Sequence, residues 1–333
     1  MQTIHKTAYA RAGLIGNPSD GYGGKTIAFT MRDYRAEVSL HEWPTVEIVA
    51  ASNDQLQYSS VLALKQQVAQ HGYYGGTRLI KATIKKFVDY CQSQNLNLHD
   101  RNFSIRYASN IPQQVGMAGS SAIIIATLRG LMDFYGIAID KLIQPTLALD
   151  VERCELGIAG GLQDRVAQIY EGLVAMDFSI TNHKHGFEYC SYEAMDPALL
   201  PGIYVAYRPS SSEPTEVFHN DLRTRYDADD KTVVSAMSRF AELTDTAKNA
   251  IVDRNYQSLH NAINANFDLR DSICRLNPAH KEMVITARSC GASAKYAGSG
   301  GAIVGTFKEH AQYDQLQERL TALGCTVLKP TIA

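Results

Sequence analysis

The chain has 333 residues, 45% of them apolar and 20% charged, an ordinary globular composition with ample length to bury a core. Its 32 basic and 34 acidic side chains leave a formal net charge of -2 with no long basic run, which excludes the electrostatic footprint of a nucleic-acid or anionic-membrane binder. No apolar run approaches the roughly 20 residues that span a bilayer, the first twelve residues carry no signal-peptide pattern, and six cysteines lie scattered without a C-x-x-C pair, so a cytoplasmic protein acting on a small molecule is expected.

Three short strands are expected first, at 27–30, 35–40 and 46–49, spaced closely enough for an antiparallel sheet. Residues 77–91 carry an apolar stripe of helical period with their lysines opposite, and 103–107 alternates as a half-buried strand. A Gly/Ser turn at 116–121 leads into 122–134, apolar on nearly every side and stopped by Gly136, which predicts a buried helix. Pro145 opens another helical stretch stopped by Gly157, and 172–178 reads as a strand. A polar, aperiodic segment at 181–201 marks the expected boundary between domains 1–190 and 191–333. Beyond it come a strand (203–207), a polar loop (210–230), two or three helices, a glycine turn (298–301), a strand (303–307), a helix and a last strand (326–328). Strands and helices are partly segregated, so the expected class is α+β.

Three glycine-rich segments carry the chemistry. The first, Arg11-Ala12-Gly13-Leu14-Ile15-Gly16-Asn17-Pro18-Ser19-Asp20, ends in a cluster of short polar side chains that reads equally as a plain loop. The second runs from Pro112 through Gly116, Met117, Ala118, Gly119, Ser120 and Ser121 into the buried helix. Free N–H groups at such a helix start suit an anion, phosphate above all; the alternative is a helix capped by Ser120 or Ser121. It is not a Walker A loop, because no Gly-Lys-Ser/Thr follows. The third, Lys295-Tyr296-Ala297-Gly298-Ser299-Gly300-Gly301-Ala302, precedes a strand and reads as a ligand-side turn or a plain hairpin. Between the second and third, Glu152 and Asp164 flank the Gly-rich stretch Gly157-Ile158-Ala159-Gly160-Gly161. The two carboxylates suit a divalent cation and a proton acceptor, or else a solvated helix end and an ion pair of Asp164 with Arg165 or Arg11.

Taken together and in this order, the three segments resemble the motifs of the GHMP kinases, the family of galactokinase, homoserine kinase and mevalonate kinase, over residues 10–307 or so. Within it, the first segment, Tyr73-Tyr74-Gly75-Gly76 and Gly160-Gly161-Leu162-Gln163-Asp164-Arg165 resemble the glucuronokinases. The resemblance implies two domains, a ribosomal-protein-like α+β unit and a ferredoxin-like unit, with the active site in the cleft between them. It implies ATP as co-substrate, Mg2+ as cofactor and a sugar or uronic acid as acceptor. Asp164 then matches the catalytic aspartate, Glu152 the magnesium ligand (with Glu155 still possible), and Ser120 and Ser121 the phosphate-loop serines, one of which reaches the metal. Arg11 sits where galactokinases have an arginine and mevalonate kinases a lysine. The second motif departs from the usual Gly-Leu-Gly-Ser-Ser, and Asn17-Pro18 replaces the Glu-His of galactokinases, which counts against galactose.

For the sugar, Asn17, Ser19 and Asp20 offer hydrogen-bonding groups, and a uronate carboxylate calls for a guanidinium, with Arg223, Arg225 and Arg78 as candidates. The adenine pocket is expected in the region 53–74. The rivals are a kinase for another sugar or a heptose phosphate, and a non-catalytic sensor on a kinase fold. Oligomeric state is not legible.

Overall fold

The computed structural model describes residues 3–51, 54, 60, 75–209 and 222–333. In chain order the first half contains β1 (Ile4–Ile15), β2 (Lys25–Trp43), β3 (Glu47–Val49), α1 (Gly76–Ser93), β4 (Asn102–Ser109), α2 (Gly119–Tyr135), α3 (Gln144–Asp150), α4 (Gln163–Tyr170), β5 (Leu173–Lys184) and β6 (Phe187–Met195). The second half contains β7 (Gly202–Tyr207), α5 (Lys231–Val252), α6 (Tyr256–Ile273), α7 (Pro278–Ser289), β8 (Lys295–Tyr296), β9 (Ala302–Phe307), α8 (His310–Ala322) and β10 (Thr326–Leu328). The two halves form two sheets with helices laid against them, an α+β architecture.

The first sheet is organised by β2. One of its edges pairs with β1; the other carries β5 along residues 25–29 and β4 along 36–43. Where the expectation was two short strands at 27–30 and 35–40, the backbone is one strand with an irregularity between Ala10 and Tyr9's partners, Met31 and Arg35. The polar triplet Arg32, Asp33 and Tyr34 therefore bulges out of the ladder without ending it. The C-terminal residues fill the gap this leaves between β5 and β4: Arg32 donates its N–H to the Thr331 carbonyl at 2.8 Å, and Ala333 donates to the Thr30 carbonyl at 3.1 Å. Strand β1 itself was not anticipated.

The expected aperiodic segment at 181–201 is also structured. β5 and β6 form an antiparallel hairpin closed by His185 and Gly186, both at positive φ (51° and 81°), the turn geometry that matches strand twist. From Ser179 onward its residues are largely exposed, so no apolar alternation marks it as strand. The first sheet ends at Met195 and the second starts at Gly202.

The second sheet is antiparallel with order β10-β7-β9-β8, which numbers 4-1-3-2 in local chain order, the ferredoxin-like arrangement. Its β7 is buried on both faces. Val205 and Tyr207 join the large core shared with β1, β2 and α2, while Tyr204 and Ala206 join a second core with Phe267, Met283 and Leu316. Period-two alternation thus welds the second sheet to the first half on one side and to its own helices on the other. The seam brings the β8–β9 turn against β1 and the start of α2, where the three glycine segments meet.

Candidate active site

The 116–121 loop is shaped by left-handed residues. Gln114, Gly116 and Ala118 have φ of 56°, 71° and 62°, and Ala118 is the N-cap of α2, with no side chain capping the helix. The capped-helix reading of Ser120 or Ser121 is therefore not what forms. The first-turn N–H groups of a 17-residue helix stay available to a ligand, with the helix dipole behind them. Pro112 lies in the connection from β4, and Met117 is buried in the core, so Met117 contributes backbone only. The β8–β9 turn packs onto this loop backbone against backbone: a methyl group added to Gly298 would stand 2.2 Å from the Gly116 carbonyl oxygen. Glycine at 298 is demanded by that approach.

Arg11, in β1 and only 4% exposed, joins the segments. Its Nη1 donates to the carbonyls of Gly116 (3.1 Å) and Ala297 (2.7 Å), its backbone N–H donates to Met117 (3.2 Å), and its Nη2 donates to Asp164 Oδ1. The ion pair of Asp164 with Arg11 is thus present, and it fixes the carboxylate at the seam. Asp164, in the first turn of α4, keeps a partly exposed carboxylate facing outward from this buried anchor.

Glu152 is 1% exposed and accepts a hydrogen bond from Ser120 Oγ at 2.8 Å on Oε1, while Oε2 pairs with the buried Arg165. The helical stretch expected to end at Gly157 in fact leaves the α geometry at Val151: residues Val151–Glu155 form a π-helical turn. That turn aims Glu152 inward and Glu155 at Lys85 of α1, 2.9 Å away, so Glu155 is not beside the loop. Ser121 is also turned away; its Oγ donates to Gln168 Oε1 at 2.7 Å inside the core. Burial, together with the nearby charge of Arg11, pushes the Arg165 guanidinium down to about 9, still positive at neutral pH. The carboxylate of Glu152 and hydroxyl of Ser120 are hard oxygens already within hydrogen-bond reach at the start of α2, a donor pair that suits Mg2+. No group of three or more His, Cys, Asp or Glu gathers among the described residues, so phosphate oxygens would have to complete such a site.

At the sugar end the expected residues divide. Asn17 is buried, with Oδ1 accepting from Lys295 Nζ at 2.5 Å, and Ser19 is buried with Oγ donating to the Lys25 carbonyl at 3.1 Å. Both shape the turn. Asp20 packs against Gly161, accepts from the Gln163 N–H and lies beside Asp164; burial and that neighbouring charge push its carboxyl up to about 6, against the opposing pull of Arg11 and Arg165. Arg223 reaches the same turn, donating to the Gly21 carbonyl at 2.5 Å and lying over the Tyr22 ring. Arg225 points elsewhere, to Asp230 at 3.0 Å and the Ile273 carbonyl at 2.6 Å. Arg78 is half-buried in the first turn of α1. Tyr73, Tyr74 and nearly all of the 53–74 region expected to hold adenine lie outside the described residues; Asp54 is described, and it caps α1 through the Gly76 N–H at 2.8 Å.

Several residues at the seam were given no role from the sequence. Lys295 is buried without a carboxylate, donating to the Gly13 carbonyl (2.6 Å), Asn17 and the Tyr296 carbonyl (2.7 Å); burial and the charges of Arg270 and Arg11 hold its ammonium well below the usual range. On α6, Asn266 accepts from the Gly16 N–H at 2.7 Å, and one turn later Arg270 donates to the carbonyls of Gly298 (2.7 Å) and Ser299 (3.0 Å). Asparagine and arginine four apart on one helix face is a spacing the sequence does display.

Residues 78–172 match the family model "GHMP kinases N terminal domain". The chain is 41% identical over 307 residues to a protein named probable glucuronokinase 2 of Arabidopsis thaliana, covering 89% of this chain and 82% of that one. It is 38% identical over 340 residues to glucuronokinase 1 of the same plant, covering 99% and 92%. Among solved structures, Lactococcus lactis galactokinase complexed with galactose superposes with a TM-score of 0.79 at 15% identity, covering 99% of this chain and 94% of that one. With full-length similarity at that level and the three motifs assembled at one seam, the chain belongs to the GHMP kinase family.

Proposed function

We propose that the chain is a magnesium-dependent glucuronokinase, transferring the γ-phosphoryl group of ATP to the anomeric hydroxyl of D-glucuronic acid to give glucuronate 1-phosphate and ADP. The observation that carries this reading is the convergence on Arg11 of the phosphate loop, the third glycine turn and Asp164, within a chain whose near-full-length relatives are named glucuronokinases. Phosphoryl transfer asks a protein mainly for positioning and countercharge. The free N–H groups at the start of α2 and of the 116–121 loop would hold the ATP phosphates. Glu152 and Ser120 would hold Mg2+, which when bound neutralises phosphate oxygens and draws electron density from the phosphorus. Arg165, paired with the buried Glu152, adds positive charge on the same side.

Asp164 would accept the proton of the sugar's C1 hydroxyl as it attacks. An anomeric hydroxyl is more acidic than an ordinary alcohol, so an ionised carboxylate is an adequate base. Arg11 holds the Asp164 carboxylate in place at the seam. Asp20 would accept hydrogen bonds from the other sugar hydroxyls. The six cysteines are all free thiols, which supports a reducing, cytoplasmic setting. No described helix is long and apolar enough to cross a membrane. The test is ADP release with ATP, Mg2+ and a panel of glucuronate, galacturonate, glucose, galactose and mevalonate. Glucuronate should dominate and its product should lose reducing-end reactivity; absence of uronate turnover would overturn the assignment.

A further inference from the structure

A kinase that takes glucuronate must tell a C6 carboxylate from the hydroxymethyl of glucose, and none of the motif residues supplies a free cation for it. Arg11 is committed to Asp164 and Arg165 to Glu152. Two other guanidiniums stand at the sugar end. Arg153 follows Glu152 in the π-helical turn, which faces it to solvent while Glu152 is buried, and its Nη2 donates to the Gly160 carbonyl. Gly161, the next residue, packs against the Asp20 carboxylate. Arg223 approaches from the other side, hydrogen-bonded to Gly21, the residue after Asp20, and lying over Tyr22 with its carbon 4.4 Å from the ring centroid. The two side chains thus bracket Asp20, one anchored through Gly160 and one through Gly21.

Neither is satisfied by a carboxylate at close range. Among the described residues Arg153 has no ion pair, and Arg223 has only the exposed Asp227 at 3.7 Å. After burial, the charge of Arg223 is the next cause that lowers the Arg153 guanidinium, so two like charges are held near each other. Both are tethered by carbonyls and a ring, which fixes their position without neutralising them. Paired guanidiniums with no direct hydrogen bond to a described carboxylate match a planar anion on the ligand.

We infer that Arg153 and Arg223 are the specificity-determining pair that binds the C6 carboxylate of a hexuronate. The inference rests on the glucuronokinase reading and adds its selectivity. In a pyranose the C5 carboxylate neighbours the C4 hydroxyl, so a sugar with its C1 hydroxyl at Asp164 and its C4 hydroxyl at Asp20 would carry its carboxylate beside Asp20, which the two arginines bracket. A sugar phosphate presents an anion of the same sign, and the assay separates the two.

The experiment compares wild type with Arg153→Gln, Arg153→Lys and Arg223→Gln on glucuronate, glucose and glucose 6-phosphate, with calorimetric binding of glucuronate as a readout independent of turnover. Each glutamine variant should lower the ratio of kcat/KM for glucuronate over glucose about 10- to 100-fold, chiefly through KM for the uronate. Arg153→Lys should recover part of the loss, since charge remains but the planar fork does not. Equal losses on glucuronate and glucose, or no loss on glucuronate, would overturn the pair while leaving the kinase reading intact. Wild type that neither binds nor turns over glucuronate would overturn both, and preference for glucose 6-phosphate would reassign the pair to a phosphate.

Discussion

The two ends of the proposed site are built from different materials. The phosphate end is backbone: left-handed residues at 114, 116 and 118, an uncapped helix start, and a glycine turn pressed against them. The proposed sugar end is side chain: Asp164, Asp20, Arg153 and Arg223, delivered by α4, two turns and a short helix at 222–227. Backbone sites tolerate variation in side chains but not in shape, whereas side-chain sites can be retuned residue by residue. This contrast explains how one fold serves many acceptors while keeping one phosphate donor.

The sharpest way to break the contrast is Asp164→Asn. If the chemistry at the sugar end rests on that carboxylate, kcat should fall by about 10²- to 10⁴-fold while ATP binding stays near wild type. Single-turnover kinetics with nucleotide titration would check it. A variant that keeps its turnover would show that Asp164 only balances Arg11.

The same difference governs what the sequence made legible. The phosphate end appears as local strings, Gly116 to Ser121 and Gly298 to Gly301, because a backbone cradle needs glycines at consecutive positions. The resemblance of the motifs pointed to Glu152, Asp164 and Arg11 as one group, and the structure brings those three together with Ser120. The sugar end was read less well. Asn17 and Ser19 look like ligand-binding residues, yet fold inward to hold Lys295 and the Lys25 carbonyl. Arg153 sits in a charged string with nothing to distinguish it, and in the π turn it faces out while Glu152 faces in. In the fold, strands with one buried face were found by alternation. The β5–β6 hairpin was missed because most of it is wetted on both faces, and β2 was split because a bulge interrupts its pattern.

Gly298→Ala tests the other end. The added methyl meets the Gly116 carbonyl oxygen at 2.2 Å, so one loop must shift. Overpacking of this kind costs about 1–3 kcal/mol. A lowered Tm together with a KM for ATP raised more than that for glucuronate is expected. An unchanged Tm and ATP affinity would mean the two loops do not depend on each other.

Asp20 shows the cost of a side-chain site. Its folded pKa, about 6, lies above the ordinary 3.8, so the folded protein binds this proton more tightly than the unfolded chain. Stability from this group is therefore lost as pH rises from about 4 through 6, and the ionised form is a burden at neutral pH. Partial solvent access limits the burden to about 1–2 kcal/mol. Asp20→Asn should raise Tm at pH 8 but not at pH 4, while weakening glucuronate binding about 10-fold. Melting curves across that range check the first, and KM the second. A variant destabilised at pH 8 would show that Asp20 is a structural anchor.

The smallest expected effect separates two neighbouring hydroxyls. Ser120 Oγ meets Glu152, whereas Ser121 Oγ is spent on Gln168, whose amide in turn donates to the Tyr9 and Ala118 carbonyls at 2.9 and 2.8 Å. Ser121 therefore belongs to the scaffold behind the phosphate loop. Ser121→Ala should cost about 1 kcal/mol of stability and leave the magnesium dependence of the rate where it was. Ser120→Ala should leave stability nearly intact and raise the magnesium concentration needed for half-maximal rate. Magnesium titrations of both variants decide the matter, because the reverse pattern would mean that the helix start turns by one residue when nucleotide binds.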